Sequence, residues 1–186
     1  DFWMKRLILI FLIPLLVLAC GEADDTGGEL VSYTSPNYPI SFTMPAAWAV
    51  SDNEDSITIA SAESLLLANT VVDGARINMT VTLGAFMGNA NVTEVIKTAV
   101  GQFQAQEGVE VLQEVETKLI NNQSAVEIVL RGPDTEGNEV ILRYLVVESL
   151  GSNQTAVIAA VHDASENERY GQLMADIVNS IQLGEQ

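Results

Sequence analysis

The chain has 186 residues and carries 25 acidic against 8 basic residues, a net charge of −17, with Cys20 its one cysteine and His162 its one histidine. That charge argues against nucleic-acid binding, which depends on Lys and Arg to neutralise phosphates, and against lying flat on an anionic membrane. One cysteine and one histidine exclude internal disulfides and zinc sites built on two or more such ligands.

The first element is Met4–Cys20, MKRLILIFLIPLLVLAC. Lys5 and Arg6 form a positive head, Leu7 to Leu18 are apolar throughout, and small Ala19 precedes Cys20. This is the layout of a secretory signal. The apolar run of about 12 residues falls short of the roughly 20 that span a bilayer. Asp1, Phe2 and Trp3 lie ahead of Met4, the expected start, and are set aside. The stretch Val17-Leu18-Ala19-Cys20 resembles the cleavage box of bacterial lipoproteins. The resemblance implies that the Cys20 thiol takes a diacylglycerol, that residues 1–19 are removed, and that Cys20 becomes an N-terminus acylated with a palmitate-type chain. Of the 186 residues 167 would remain, enough for one domain with a proper core. Losing Asp1, Lys5 and Arg6 would take the charge from −17 to −18.

Residues 20–29 read as the lipidated cysteine and a tether. Gly21–Glu29, GEADDTGGE, is polar and acidic, with no apolar periodicity, and would reach roughly 30 Å when extended. The domain occupies residues 30–186. Ile40, Phe42 and Met44 alternate with polar residues as a half-buried strand ended by Pro45; Trp48 and Val50 predict a short second strand. The turn SDNEDS (Ser51–Ser56) precedes a strand at Ile57 and Ile59. Ser61–Gly74 fits either a helical turn or a continued strand. Ile77, Met79, Val81 and Leu83 form the clearest alternating strand of this half.

Val92, Val95, Ile96, Ala99, Val100 and Phe103 recur at three-four spacing and predict a helix, with Asn91 and Glu94 placed as a capping box and Gly108 as its stop. Four strands follow, near Val109–Ile120, Gln123–Arg131, Asn138–Glu148 and Asn153–His162, joined by links short enough to make them antiparallel neighbours. The last two are apolar on both faces, Arg143 excepted, so they belong in the middle of a covered sheet. Tyr170, Leu173, Met174, Ile177, Val178 and Ile181 predict a closing helix, with Ser165 and Glu168 as a second capping box. The expected fold class is α+β: one central antiparallel sheet flanked by helices on both faces, an α/β/α sandwich.

Tyr38-Pro-Ile-Ser-Phe-Thr-Met-Pro-Ala-Ala-Trp48-Ala-Val50 resembles the opening of PsbP-like domains. The helix, the four-strand run and the closing Ile177-Val-Asn-Ser-Ile181 are similar too, so the likeness covers about Val31 to Leu183. It implies the same sandwich and a binding role, since the family includes an extrinsic subunit of photosystem II, bacterial lipoproteins and a eukaryotic factor that binds the GTPase Ran. No functional residue carries over. Six of the 8 basic residues, Arg76, Lys97, Lys118, Arg131, Arg143 and Arg169, stand within the domain.

Candidate chemistry is sparse. His162 with Asp163 and Glu166 reads as a strand end beside a capping segment, short of the ligands a metal needs. No Gly-x-Ser-x-Gly elbow presents a serine to His162. Asp52, Glu54 and Asp55 lack the spacing of a calcium loop. Glu110, Glu114 and Glu116 share a solvent-facing strand without paired-carboxylate geometry. Gly84–Asn91 lacks the Gly-Lys-Ser/Thr end of a phosphate loop. Trp48 reads as core. Asn78, Asn91, Asn122 and Asn153 open sequons treated as chance matches. The expectation is a membrane-anchored, extracytoplasmic lipoprotein without enzymatic activity or cofactor, binding a protein whose surface is basic, with Cys20 as the lipidation site; the alternative is a carrier of a small ligand in a cleft between sheet and helix.

Overall fold

The computed structural model describes residues 28–83, 92–149 and 151–184. The Met4–Cys20 signal, most of the tether and the Gly84–Asn91 loop, with the expected cap residue Asn91, lie outside these residues.

The strands are β1 (Leu30–Thr34), β2 (Ile40–Pro45), β3 (Ala49–Asp52), β4 (Ile57–Ala60) and β5 (Ala75–Leu83), then helix α1 (Val92–Gln104). After it come β6 (Glu110–Ile120), β7 (Gln123–Pro133), β8 (Glu139–Ser149), β9 (Gln154–Asp163), helix α2 (Asn167–Asn179) and β10 (Gln182–Leu183). All pairings are antiparallel. Seven strands form one sheet in the order β3-β4-β5-β9-β8-β7-β6, and β1-β2-β10 form a second.

The expected α/β/α sandwich is therefore corrected. About half of the described residues, 51%, are strand, arranged in two sheets, with two α-helices among them. The reason is geometric. A helix of 13 residues is about 20 Å long, while seven strands about 4.8 Å apart span about 29 Å. One helix cannot roof such a face. The alternation at Ile40, Phe42 and Met44, expected within one central sheet, is the inner face of the second sheet, which shares the roofing with α2. Alternation says that one side of a strand is buried, not which sheet it joins.

Two cores result. On one face, Tyr170, Met174, Ile177 and Val178 of α2 and Ile40, Phe42 and Met44 of β2 pack on Ile57, Ile59, Ile77, Met79, Leu145 and Ile158. Trp48 is buried in this core, edge-on to Tyr170 with ring centroids 6.2 Å apart. On the other face, Ile96 and Val100 of α1 pack on Val126, Ile128, Leu130 and Val146.

Strands β8 and β9 lie inside the main sheet, as their two-sided apolar pattern requires. Asn121 and Asn122, both with positive φ (49° and 64°), make the two-residue β6–β7 turn. Ser61–Gly74 contains one short 3-10 turn at Glu63–Leu65. The Ser165–Glu168 capping box does not form. Ser165 N–H instead donates to Asp163 Oδ1 at 2.9 Å, capping a 3-10 turn before α2. Strand β10 was not anticipated; Gly184 N–H donates to Pro39 O at 2.8 Å and ties the chain end to the second sheet.

Candidate functional site

The register places two arginines on opposite faces of the main sheet. Glu127 sits diagonal to Arg143, two pairs along the β7–β8 ladder, and both point to the α2 face. Arg76 lies beside Val161, and Val161 beside Leu142, so these three form a row across β5, β9 and β8 on the α1 face.

On the α2 face the charges are matched. Glu127 is 1% exposed. Arg143 Nη1 donates to its Oε1 at 2.6 Å and Lys118 Nζ to its Oε2 at 2.7 Å, while Gln113 Nε2 donates at 3.3 Å. Burial pushes the Glu127 carboxyl up, but the bonds from Lys118 and Arg143 outweigh it and hold it below the usual carboxylate range. Lys118 also donates to Asn179 Oδ1 at 2.9 Å, fastening edge strand β6 to the end of α2.

Beside this network is a hollow of about 310 Å³ lined by Gln113, Arg143, His162, Asn167 and Gly171 among others. His162 is buried, with Nε2 3.1 Å from Asn167 Oδ1. A Cβ on Gly171 would come within 2.6 Å of that oxygen, so the glycine makes room for the Asn167 side chain. Burial lowers the His162 pKa; Arg143 lowers it further, and the Asn167 bond and Asp163 only partly offset this. The imidazole is neutral at pH 7.

The α1 face differs. Helix α1 packs mainly over β6, β7 and β8, leaving half-buried Leu142 and Val161 to floor a cleft of about 270 Å³ walled by Val71, Phe103 and Pro133. Half-buried Arg76 lines it. Its Nη1 donates to the carbonyls of Ala68 and Leu65. Burial alone lowers its pKa, and among the described residues no carboxylate lies within ion-pair distance. Asp134 also lines the cleft, but its carboxylate is engaged by the backbone N–H groups of Glu136 (2.8 Å) and Asn138 (2.9 Å). Burial raises the Asp134 pKa, and these bonds more than offset it.

The sequence-flagged acids do not converge. Asp163 faces Ser165 and Asp73, and Glu166 pairs with Arg169 at 3.5 Å. Asp52 accepts from Tyr33 Oη (2.8 Å) and Asn37 Nδ2 (2.9 Å), and the Glu54 carbonyl accepts from Tyr38 Oη (2.5 Å), so SDNEDS is a pinned turn. Asp52 and its bond, after burial, push the Tyr33 phenol up to about 12. Glu110, Glu114 and Glu116 are exposed on edge strand β6. No group of three His, Cys, Asp or Glu able to hold a metal occurs among the described residues. Cys20 lies outside them.

Sequence reasoning missed Glu127 and Arg76. A signal existed for the first: an acid within AVEIVLR, one strand from the Arg143 exception, demands a cation on the neighbouring strand. Arg76 is the second residue of β5, and its sequence neighbours carry no such signal.

No family model matches the chain, and no curated protein matches it. Solved structures do. The chain is similar to cyanobacterial PsbP (CyanoP) from Synechocystis sp. PCC 6803, at 11% identity and TM-score 0.58, over 90% of this chain and 98% of that one. It is similar to the Ran-binding protein Mog1p of Saccharomyces cerevisiae (10%, TM-score 0.53, 85% and 97% covered). LpqN of Mycobacterium tuberculosis, a protein involved in cell envelope biogenesis, is a third (13%, TM-score 0.52, 83% and 91% covered). The fold is PsbP-like.

Proposed function

We propose that the chain is a non-enzymatic accessory module, tethered outside a bacterial cytoplasmic membrane by a lipid on Cys20, that works by binding a protein partner. The observation that carries the reading is the state of the polar groups. Among the described acids with displaced ionisation, Glu127, Asp134, Glu139 and Asp163 are all held as carboxylates by fixed partners. Acids locked this way order the structure and present charge; general-acid catalysis needs the opposite displacement. The fold is shared with a Ran-binding protein and with a protein involved in cell envelope biogenesis, which agrees with a scaffold that acts by contact. A net charge of −17 favours a partner with a basic surface.

The test is metabolic labelling with an alkyne fatty acid, followed by crosslinking in native membranes. Wild-type chain is expected to label and to crosslink to a membrane-associated protein, and Cys20→Ser to lose both the label and the membrane fraction. Equal labelling of Cys20→Ser removes the anchor from the reading. The second reading, a small-ligand carrier, is favoured by the Arg76 cleft.

A further inference from the structure

We propose that the α1-face cleft is a binding site for a small single-chain carboxylate, its tail on Leu142 and Val161 and its head on the Arg76 guanidinium. The inference rests on reading the chain as a binding module, and it gives the second form of that reading a ligand class.

The charge argument comes first. A half-buried cation is normally paired, because burying a lone charge is costly. The neighbours of Arg76 are carbonyl oxygens, which satisfy N–H groups but cancel no charge. In a chain with 25 acids and 8 bases, a cation facing a cleft with no carboxylate within ion-pair distance among the described residues is the exception. Arg143 shows the other arrangement, 2.6 Å from Glu127.

Donor geometry agrees. Both carbonyl bonds fall on Nη1. That leaves Nε–H and the Nη2 hydrogens, the edge of the guanidinium that takes a carboxylate in two parallel bonds. Asp134 does not compete: it is turned to its own hairpin and pairs with no cation.

The floor supplies the tail contact. Leu142 and Val161 lie on β8 and β9, inside the sheet, yet stay half-buried, because α1 packs toward β6 and β7. Covering them with a hydrocarbon chain removes apolar surface from water. The cleft, at about 270 Å³, lies just below the roughly 300–1,000 Å³ of drug-sized sites. It suits a short acyl chain, not a two-chain lipid. Exposed charges are screened over about 8 Å at physiological salt, so the acidic surface opposes an incoming anion only through the charges close to the cleft.

The experiment uses the full chain in zwitterionic nanodiscs, with octanoate as the probe and thermal unfolding followed by far-UV circular dichroism. Octanol supplies the tail without the charge, octylammonium reverses the charge, and acetate has no tail. A ligand bound only by the native state raises Tm, by about 5–10 °C at 100 times its Kd for a domain of this size. Octanoate is expected to raise Tm and the other three to leave it unchanged. Arg76→Gln is expected to weaken octanoate at least tenfold, with Arg76→Lys intermediate. Leu142→Trp fills the floor while leaving Arg76 in place, and is expected to abolish the shift even if Arg76→Gln folds poorly. An octanol shift equal to that of octanoate, an unchanged response in Arg76→Gln or in Leu142→Trp, or no shift with octanoate overturns the proposal. The crosslinking readout is separate, so losing the ligand does not remove the partner.

Discussion

Arg143 and Arg76 stand on the same sheet, on opposite faces, and have opposite surroundings. Arg143 meets Glu127 at 2.6 Å, beside a second cation and under α2. Arg76 meets backbone carbonyls in a half-open cleft. The face that carries the larger core also carries the closed charge network, whereas the face with one helix as its roof carries the open charge. Partnering makes the difference. Each arginine borders a hollow, about 310 Å³ at Arg143 and about 270 Å³ at Arg76, but Arg143 has a carboxylate against it, and among the described residues Arg76 has none within ion-pair distance.

The largest effect should come from the well-roofed face. Trp48 is 5% exposed against Tyr170 in its core. Trp48→Ala should cost about 3–5 kcal/mol of stability in urea unfolding. A loss below about 1 kcal/mol would mean that this face is not the structural one, and the contrast with the α1 face would fail.

Next comes the charge network. Glu127→Ala leaves Arg143 and Lys118 facing each other with no acid between them, and should cost about 3 kcal/mol, the lower end for broken buried pairs because both cations are partly exposed. The same carboxylate has a pH signature. Its folded pKa lies below its ordinary 4.5. Its contribution is therefore fully present above about pH 4.5 and is lost as pH falls from there through the folded pKa, where the unfolded chain binds the proton more readily. Unfolding free energies across pH 3–6 should fall more steeply for wild type than for Glu127→Gln. Parallel curves would show that the network does not hold Glu127 ionised.

Much of this contrast could be read from the residues, and the missing parts have physical causes. Strands β6 to β9 came within a residue or two because period-two alternation and the Asn121-Asn122 turn are local signals. The Trp48 core position was legible from its apolar neighbours. Sheet membership was not: Ile40, Phe42 and Met44 alternate equally well in either sheet, and the choice depends on a pairing with β10 more than a hundred residues away. The Ser165–Glu168 box failed because Asp163, two residues earlier, captures Ser165 first. Arg76 was invisible because its meaning lies in what is absent around it, and a missing carboxylate is a three-dimensional fact. Cys20 rests on sequence alone.

The smallest stability effect makes the sharpest test. Arg143→Gln and Arg76→Gln remove the same charge from the two faces. The first leaves Glu127, 1% exposed, with Lys118 as its one remaining cation among the described residues, and charged hydrogen bonds of this kind contribute about 1.5–3 kcal/mol. Arg143→Gln should lose about that much. In Arg76→Gln the new amide can still donate to the Leu65 or Ala68 carbonyl, and no acid is left unpaired. The cost of holding a lone cation in the cleft disappears along with its bonds. The change in stability should be within about 1 kcal/mol of zero, and a small gain in stability is an acceptable result. Urea unfolding of both variants in one buffer settles the pair. Equal losses would mean that Arg76 is a structural residue like Arg143, and its cleft would then have no call for a ligand. A near-zero value for Arg76 beside a clear loss for Arg143 separates a charge that holds the fold from one kept for something the fold does not contain.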